Sequence, residues 1–329
     1  MRIVLCYPME ERHYRQICGC APGAEVVDAG QERIADEILQ ADVFCGHAKV
    51  PVPWDEVVAR GRLRWIQSSA AGLDHCLTPS VIESPIEVSS ASGLFADAVA
   101  EQTLALLLGL LRRVPAFFRQ QQAKEFVRRP TGDLHNACVG IVGLGGNGRR
   151  LARILSVFNT RIIATDYFPD NKPDCVEALW PASALDDLLP LVDVLILCVP
   201  LNAQTSHMID ATAFAKMKPG SVLINVARGP VVSEEALVDA LESGHLAGAG
   251  VDVTEVEPLP PSSRLWDHPN VMISPHVGAQ SANRTDNTTN LVCENLTRYL
   301  GGQRPWNLVD KHLGFPQPAF IWTPKSRQG

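Results

Sequence analysis

Arg228, Glu257 and His276 each stand just beyond an apolar, β-branched run: Arg228 after VLINVA, Glu257 in GVDVTEVEP and His276 after VMISP. Such runs predict strands, and in a doubly wound parallel sheet the carboxyl ends of the strands face the ligand crevice. The three side chains together suit the reduction of a ketone. An imidazole can give a proton to the developing alkoxide, or take it back in the oxidative direction. A carboxylate on the other ring nitrogen would fix the tautomer and favour the protonated ring. A guanidinium offers a planar fork of donors that can grip a carbonyl and an adjoining carboxylate together. Each residue also has a plainer explanation. A strand-end histidine is usually packed or at the surface, an arginine before Gly229-Pro230 suits a turn, and a glutamate before Pro258 suits solvent. The reading rests on all three, at separations of 257 − 228 = 29 and 276 − 257 = 19.

Hydride chemistry needs a carrier, and an earlier stretch supplies a site for one. Gly143-Leu-Gly145-Gly-Asn-Gly148 follows the apolar run Cys138–Val142 and precedes Arg149-Arg150-Leu151-Ala152, which opens a helix. A lone G-x-G-x-x-G is weak, but here it sits between strand and helix, and Asp166 ends the next apolar run, 166 − 143 = 23 positions on. That is close to the ~20 of dinucleotide-binding folds. Gly143 permits the tight turn, Gly145 lets the backbone approach a pyrophosphate at the helix N-terminus, and Gly148 permits close helix–strand packing. Asp166 would accept hydrogen bonds from the adenine-side ribose and repel a 2′-phosphate. The Tyr-Phe-Pro-Asp that follows contains no arginine to offset that repulsion, so NAD is expected, with NADH preferred over NADPH.

The elements that must position these groups read as alternating strands and helices, the pattern of a parallel sheet covered on both faces. Strands are predicted at Arg2–Tyr7, Glu25–Val27, Asp42–Cys45, Arg64–Ser68 and Ile86–Ser89. After the polar connection RRPTGDLHN they resume at Cys138–Val142, Arg161–Thr165, Val194–Val199, Val222–Val226, Gly248–Val251 and Val271–Ile273. Helices are predicted over Pro53–Arg60, from Asp97 to Val114, from Ser233 to a stop at Gly244, and from Asn283 to Leu300, before Gly301-Gly302. The tail beyond Pro316 shows no pattern.

A chain of 329 residues is comfortable as two domains, and 46% hydrophobic with 20% charged residues is a globular composition. A net charge of −7 offers no basic field, which argues against nucleic acid or anionic lipid as a partner. The apolar stretch TLALLLGLL is about half a membrane span, so a buried helix is expected. Nine cysteines in no ligand-like pairing predict a reducing, cytoplasmic setting, no disulfide framework and no metal site. The N-terminus MRIVLCYP enters a strand directly, with no signal-peptide pattern.

The motifs VGLGGNG (Val142–Gly148), NVARGPVV (Asn225–Val232), GVDVTEVEPLP (Gly250–Pro260) and SPHVGAQS (Ser274–Ser281) resemble those of the D-isomer-specific 2-hydroxyacid dehydrogenases. The resemblance runs from about Leu63 to Leu300. It implies an α/β fold of two domains with the active-site cleft between them. One is a Rossmann doubly wound NAD-binding domain (residues 101–280), the other a flavodoxin-like substrate domain (1–100 with 281–329) to which the last long helix returns. It implies hydride transfer between NAD(H) and a small 2-hydroxy or 2-keto acid, with His276 as acid/base, Glu257 supporting it, Arg228 binding substrate, and a homodimeric assembly. Cofactor contacts are implied at Gly143, Gly145, Asn147, Gly148, Asp166, Cys198, Pro200, Ala227 and Asp252, the last holding the nicotinamide carboxamide. SAAGLD (Ser69–Asp74) resembles the loop that holds the substrate carboxylate, which places backbone contacts at Ala71 and Gly72. Asn147 and Gly146 depart from the usual glycine-loop residues and affect its packing. Glu257, where formate dehydrogenases carry glutamine, argues against that branch. Lys49 in CGHAKVP either recognises a second anionic group or is an exposed loop lysine, the simpler reading. Two other functions remain compatible with the motifs: an NAD(H)-sensing scaffold that binds proteins, and an NAD oxidoreductase acting on phosphite.

Overall fold

The computed structural model describes residues 1–318, 321 and 322. The chain divides into two compact units, Met1–Phe95 with Ser281–Gly329, and Ala96–Gln280.

In the first unit, β1 (Arg2–Cys6), β2 (Glu25–Asp28), β3 (Val43–Gly46), β4 (Trp65–Ser68) and β5 (Glu87–Ser89) form a parallel sheet in the order β2-β1-β3-β4-β5. The order reverses between β1 and β3, which is the flavodoxin-like arrangement. Ile3, Val4, Leu5 and Cys6 are all fully buried, because a parallel strand covered on both faces has no solvent side. Helices α1 (Glu11–Cys20), α2 (Gly30–Glu37), α3 (Trp54–Arg60) and α4 (Pro79–Glu83) connect the strands. The long helix Arg284–Leu300 packs Val292, Cys293 and Leu296 against Ile3, Leu5 and Trp65, and Tyr299 stacks on Trp65 at 4.8 Å. Each such fully buried aliphatic side chain contributes about 1.5–3 kcal/mol. Asn295 on this helix donates to Gln67 Oε1 at 2.6 Å, a buried polar pair whose partners satisfy one another. Beyond Pro316, where the sequence shows no pattern, Trp322 is buried and its indole donates to Glu294 at 2.7 Å. Residues 319, 320 and 323–329 of that tail lie outside the described residues.

The second unit holds β6 (Cys138–Val142), β7 (Arg161–Asp166), β8 (Ala178–Pro181), β9 (Val194–Leu197), β10 (Ser221–Asn225), β11 (Leu246–Val251) and β12 (Val271–Ile273). They form one parallel sheet in the order β12-β11-β10-β9-β6-β7-β8. Its helices are α5 (Ala96–Leu111), α6 (Val114–Ala123), α7 (Gly146–Leu155), α8 (Leu185–Leu188), α9 (Ala211–Lys216) and α10 (Glu234–Glu242). The order reverses between β6 and β9, so the crevice at their carboxyl ends is where a Rossmann sheet takes its ligand. Ser233 caps α10 by accepting from Ala236 N–H, and Gly244 past its end has φ 74°. The apolar stretch after Gln102 lies in α5 and buries Leu106 and Leu107 against the sheet. Among the described residues no helix is long and apolar enough to cross a membrane.

Two elements differ from the sequence expectation. The helix predicted from Asp97 to Val114 ends at Leu111, and Arg113 turns left-handed (φ 56°) before α6 begins. Pro115 explains the break, since in a continuous helix its ring would strike the carbonyl four residues back, at Leu111. Strand β8 has no counterpart in the predicted set, because ALWP is a short, half-exposed edge strand without an apolar run.

Candidate active site

The chain turns at the end of β6 through Gly143, whose φ of 93° favours glycine. A Cβ at Gly148 would overlap the Gly143 carbonyl, so the third glycine lets α7 start tight against the strand. A Cβ at Gly145, at the N-cap of α7, would meet nothing within 4 Å. That open space, beside the N–H groups of a ten-residue helix, fits a pyrophosphate. Gly146 and Asn147 form the first turn of α7. Asp166 ends β7, and its carboxylate accepts Leu144 N–H at 2.6 Å and Phe168 N–H at 2.8 Å. The carboxylate is thereby pinned to the glycine loop itself. One neighbour escaped the sequence reading. Arg149 reaches the same region, where loss of solvation lowers its pKa while Asp166 acts in the opposite sense, and it donates to the Asn171 carbonyl at 2.7 Å. The residues present fit a dinucleotide.

Beyond β9, Cys198 N–H donates to Val142 O at 2.8 Å, which ties this turn to the end of β6. Loss of solvation pushes the Cys198 thiol up to about 12, so it stands there as an uncharged group. The Pro200 carbonyl accepts from Thr205 Oγ1 at 2.7 Å, which closes the Pro200–Thr205 loop.

Arg228 follows β10 in a turn made by Asn225. The Asn225 amide donates to Arg228 O and its oxygen accepts from Ala227 N–H, both at 3.0 Å. Arg228 Nη1 donates to the Ala227 carbonyl at 2.8 Å. A Cβ at Gly229 would overlap the Thr254 carbonyl, so this glycine lets the arginine turn lie directly on the Thr254–Glu257 turn.

Glu257 Oε1 accepts Thr254 N–H at 3.2 Å, and Oε2 lies 2.8 Å from His276 Nδ1. His276 has φ 52°, a left-handed conformation costing roughly 1–2 kcal/mol in a residue with a Cβ. Asp252 holds it there. Buried at 3% exposure, Asp252 accepts Ser274 Oγ at 2.6 Å, Val277 N–H at 3.0 Å and Gly278 N–H at 2.8 Å, while its carbonyl accepts His276 N–H at 2.7 Å. Gln102 on α5 extends this set by donating to Ser274 Oγ at 2.9 Å. The carboxylate assigned by resemblance to the nicotinamide carboxamide thus also fastens the histidine loop, a role the sequence did not signal.

In the first unit, Ala71 and Gly72 lie in the loop after β4. Ser68 Oγ closes that loop by accepting Ala70 N–H at 3.0 Å, and His75 Nε2 sits 3.4 Å from the same hydroxyl. His47 stacks on His75 at 4.0 Å. Lys49 is an exposed loop residue whose N–H donates to Gln31 Oε1 at 2.7 Å. Among the described residues no cluster of three or more His, Cys, Asp or Glu side chains could hold a metal ion.

A parallel sheet with a glycine-rich turn at its switch point, an acidic residue ending the next strand, and histidine paired to carboxylate beyond it defines a nicotinamide-dinucleotide oxidoreductase. The chain belongs to the D-isomer specific 2-hydroxyacid dehydrogenase family, whose NAD binding domain matches residues 104–278. It is 35% identical to a glyoxylate reductase of Thermofilum pendens over 270 residues, covering 78% of this chain and 77% of that protein. A glyoxylate reductase of Pyrococcus horikoshii is 33% identical over 271 residues, covering 79% and 80%. Among solved structures, the D-isomer specific 2-hydroxyacid dehydrogenase of Xanthobacter autotrophicus Py2, in complex with NADPH and MES, superposes with a TM-score of 0.81 at 26% identity, covering 95% of this chain and 99% of that one. The NADPH-dependent glyoxylate/hydroxypyruvate reductase of Sinorhizobium meliloti does so with a TM-score of 0.80 at 28% identity and the same coverage.

Proposed function

We propose that the protein interconverts a small 2-keto acid and the D-isomer of its 2-hydroxy acid, with NADH as the preferred reductant. The observation that carries this is the 2.8 Å approach of His276 Nδ1 to Glu257 Oε2, in the same unit as the glycine loop. A bound nicotinamide supplies or accepts the hydride. With Nδ1 on the carboxylate, Nε2 is the ring nitrogen that gives the substrate oxygen its proton, or takes it back in oxidation. Glu257 fixes the tautomer and the ring orientation. Arg228, whose backbone is set by Asn225, polarises the carbonyl and pairs with the carboxylate. In the first unit, the N–H groups of Ala71 and Gly72 are the proposed carboxylate donors. Acids of the glyoxylate and hydroxypyruvate type are the first candidates, because the relatives at 33–35% identity are glyoxylate reductases.

Glu257→Gln tests the pair. Ketone reduction needs a protonated ring, which the carboxylate favours and an amide does not. The pH above which reduction fades should therefore move down. An unchanged profile would count against the assignment.

NADH preference is proposed from Asp166, since a carboxylate pinned by two N–H groups cannot swing away from a 2′-phosphate. Arg149, a cation near this carboxylate, commits its Nη2 to the Asn171 carbonyl at 2.7 Å. Asp166→Ser should lower the ratio of kcat/KM for NADH over NADPH by roughly tenfold, the worth of about 1.4 kcal/mol of relieved repulsion. A ratio that stays fixed would mean that Asp166 does not face the ribose.

We further propose a cytoplasmic homodimer. Nine free thiols suit a reducing compartment, and Phe118, Phe126 and Val127 are exposed around the end of α6. A monomer in sedimentation at micromolar concentration would contradict the dimer.

A further inference from the structure

The turn that carries Glu257 holds a second carboxylate with a different set of partners. Glu255 Oε1 lies 2.7 Å from His207 Nε2, and its Oε2 accepts Glu234 N–H at 2.9 Å, in the first turn of α10. His207 ends the segment that begins with the Pro200–Thr205 loop, and its own N–H donates to Pro230 O at 2.8 Å. It takes a left-handed φ of 49°. A depression of about 360 Å³ lined by Glu234, Glu235, Glu255 and Arg264 opens beside the pair. Glu255 therefore fastens the Thr254–Glu257 turn at two points, to the segment after β9 and to the N-terminus of α10. On its other side the same turn lies against Gly229 and is closed by its own hydrogen bonds, Thr254 N–H on Glu257 and Thr254 Oγ1 on the Val256 carbonyl.

We infer that Glu255 and His207 are positioning residues for the acid/base pair: they hold the turn so that the Glu257 carboxylate stays on His276 Nδ1. The inference rests on the proposed roles of Glu257 and His276 and goes beyond them, because Glu255 touches neither. It also explains two carboxylates in one turn of E-V-E sequence: Glu257 faces the catalytic ring, and Glu255 anchors the turn.

The test is a double-mutant cycle read as the pH profile of 2-keto acid reduction, with the melting temperature and NADH affinity recorded alongside. Glu255→Ala should lower kcat roughly tenfold, within the ~100-fold that a 1 Å misplacement can cost, and shift the alkaline limit in the same direction as Glu257→Gln. Combining Glu255→Ala with Glu257→Gln should shift the limit no further than Glu257→Gln alone, because both act through one carboxylate. Glu255→Gln, whose amide oxygen still accepts Glu234 N–H while its NH2 donates to His207 Nε2 in the tautomer that carries the ring proton on Nδ1, should restore most of the native profile. A lowered melting temperature with an unmoved profile in Glu255→Ala would overturn the inference, as would additive shifts in the double variant. If Glu257→Gln itself leaves the profile unmoved, the proposed acid/base pair fails, an outcome distinct from failure of Glu255→Ala alone.

Discussion

Replacing His276 by alanine is expected to lower kcat for 2-keto acid reduction by roughly 10²- to 10⁴-fold, the usual worth of a positioned general acid. The dissociation constant for NADH should change little. The basis is how the histidine loop is held. Asp252 binds Ser274, Val277 and Gly278 and accepts the backbone N–H of residue 276, and none of these contacts uses the imidazole. The loop and the glycine turn should therefore survive the substitution, and only the proton donor is removed. Alanine at φ 52° keeps the backbone cost that histidine already bears, and His276→Asn, a residue that tolerates this conformation, provides a second variant. Stopped-flow or steady-state kinetics together with NADH titration distinguish the two effects. Retention of a tenth or more of wild-type kcat, or a parallel loss of NADH binding, would contradict the assignment.

The second large effect is expected at Gly229. Its missing Cβ is what allows the Arg228 turn and the Thr254–Glu257 turn to touch, since a methyl there would overlap the Thr254 carbonyl. Neither side can yield cheaply. Asn225 holds the arginine turn through two hydrogen bonds, and Glu255 holds the other turn at α10. Gly229→Ala should force the two apart by a good fraction of an ångström. Arg228 and Glu257 then move relative to each other, and kcat/KM should fall on the order of 100-fold. The melting temperature should fall too, because overpacking at a backbone contact costs about 1–3 kcal/mol. A variant with near-native kcat/KM would mean that the contact between these turns does not set the catalytic geometry.

The buried parallel strands were legible because continuous β-branched runs such as RIVLC and VLILC need no partner residue to be recognised. The turn of the glycine loop was legible for a related reason: glycines at fixed offsets between strand and helix report backbone geometry. Features made by pairing across long separations were not. His207 and Glu255 are 48 positions apart, half-exposed and without periodicity, so neither stands out until the fold joins them. The nearness of Arg149 to Asp166 is silent in the stretch that follows Asp166, because the arginine comes from the preceding helix, α7. The hydrogen bonds of Asp252 to the His276 loop are equally silent in sequence, since one aspartate after a strand can face a ligand or a backbone. The break at Leu111 was readable in principle from Pro115, and the apolar run masked it.

The account is tested most directly by following NADH oxidation at neutral pH with glyoxylate, hydroxypyruvate, pyruvate, longer 2-keto acids and 3-phosphohydroxypyruvate in turn, and determining the configuration of the hydroxy acid formed. The expected result is turnover of at least one of these acids, with a D-configured product wherever the carbon is chiral. NADH that binds while none of these acids is reduced, or a product of L configuration, would contradict it.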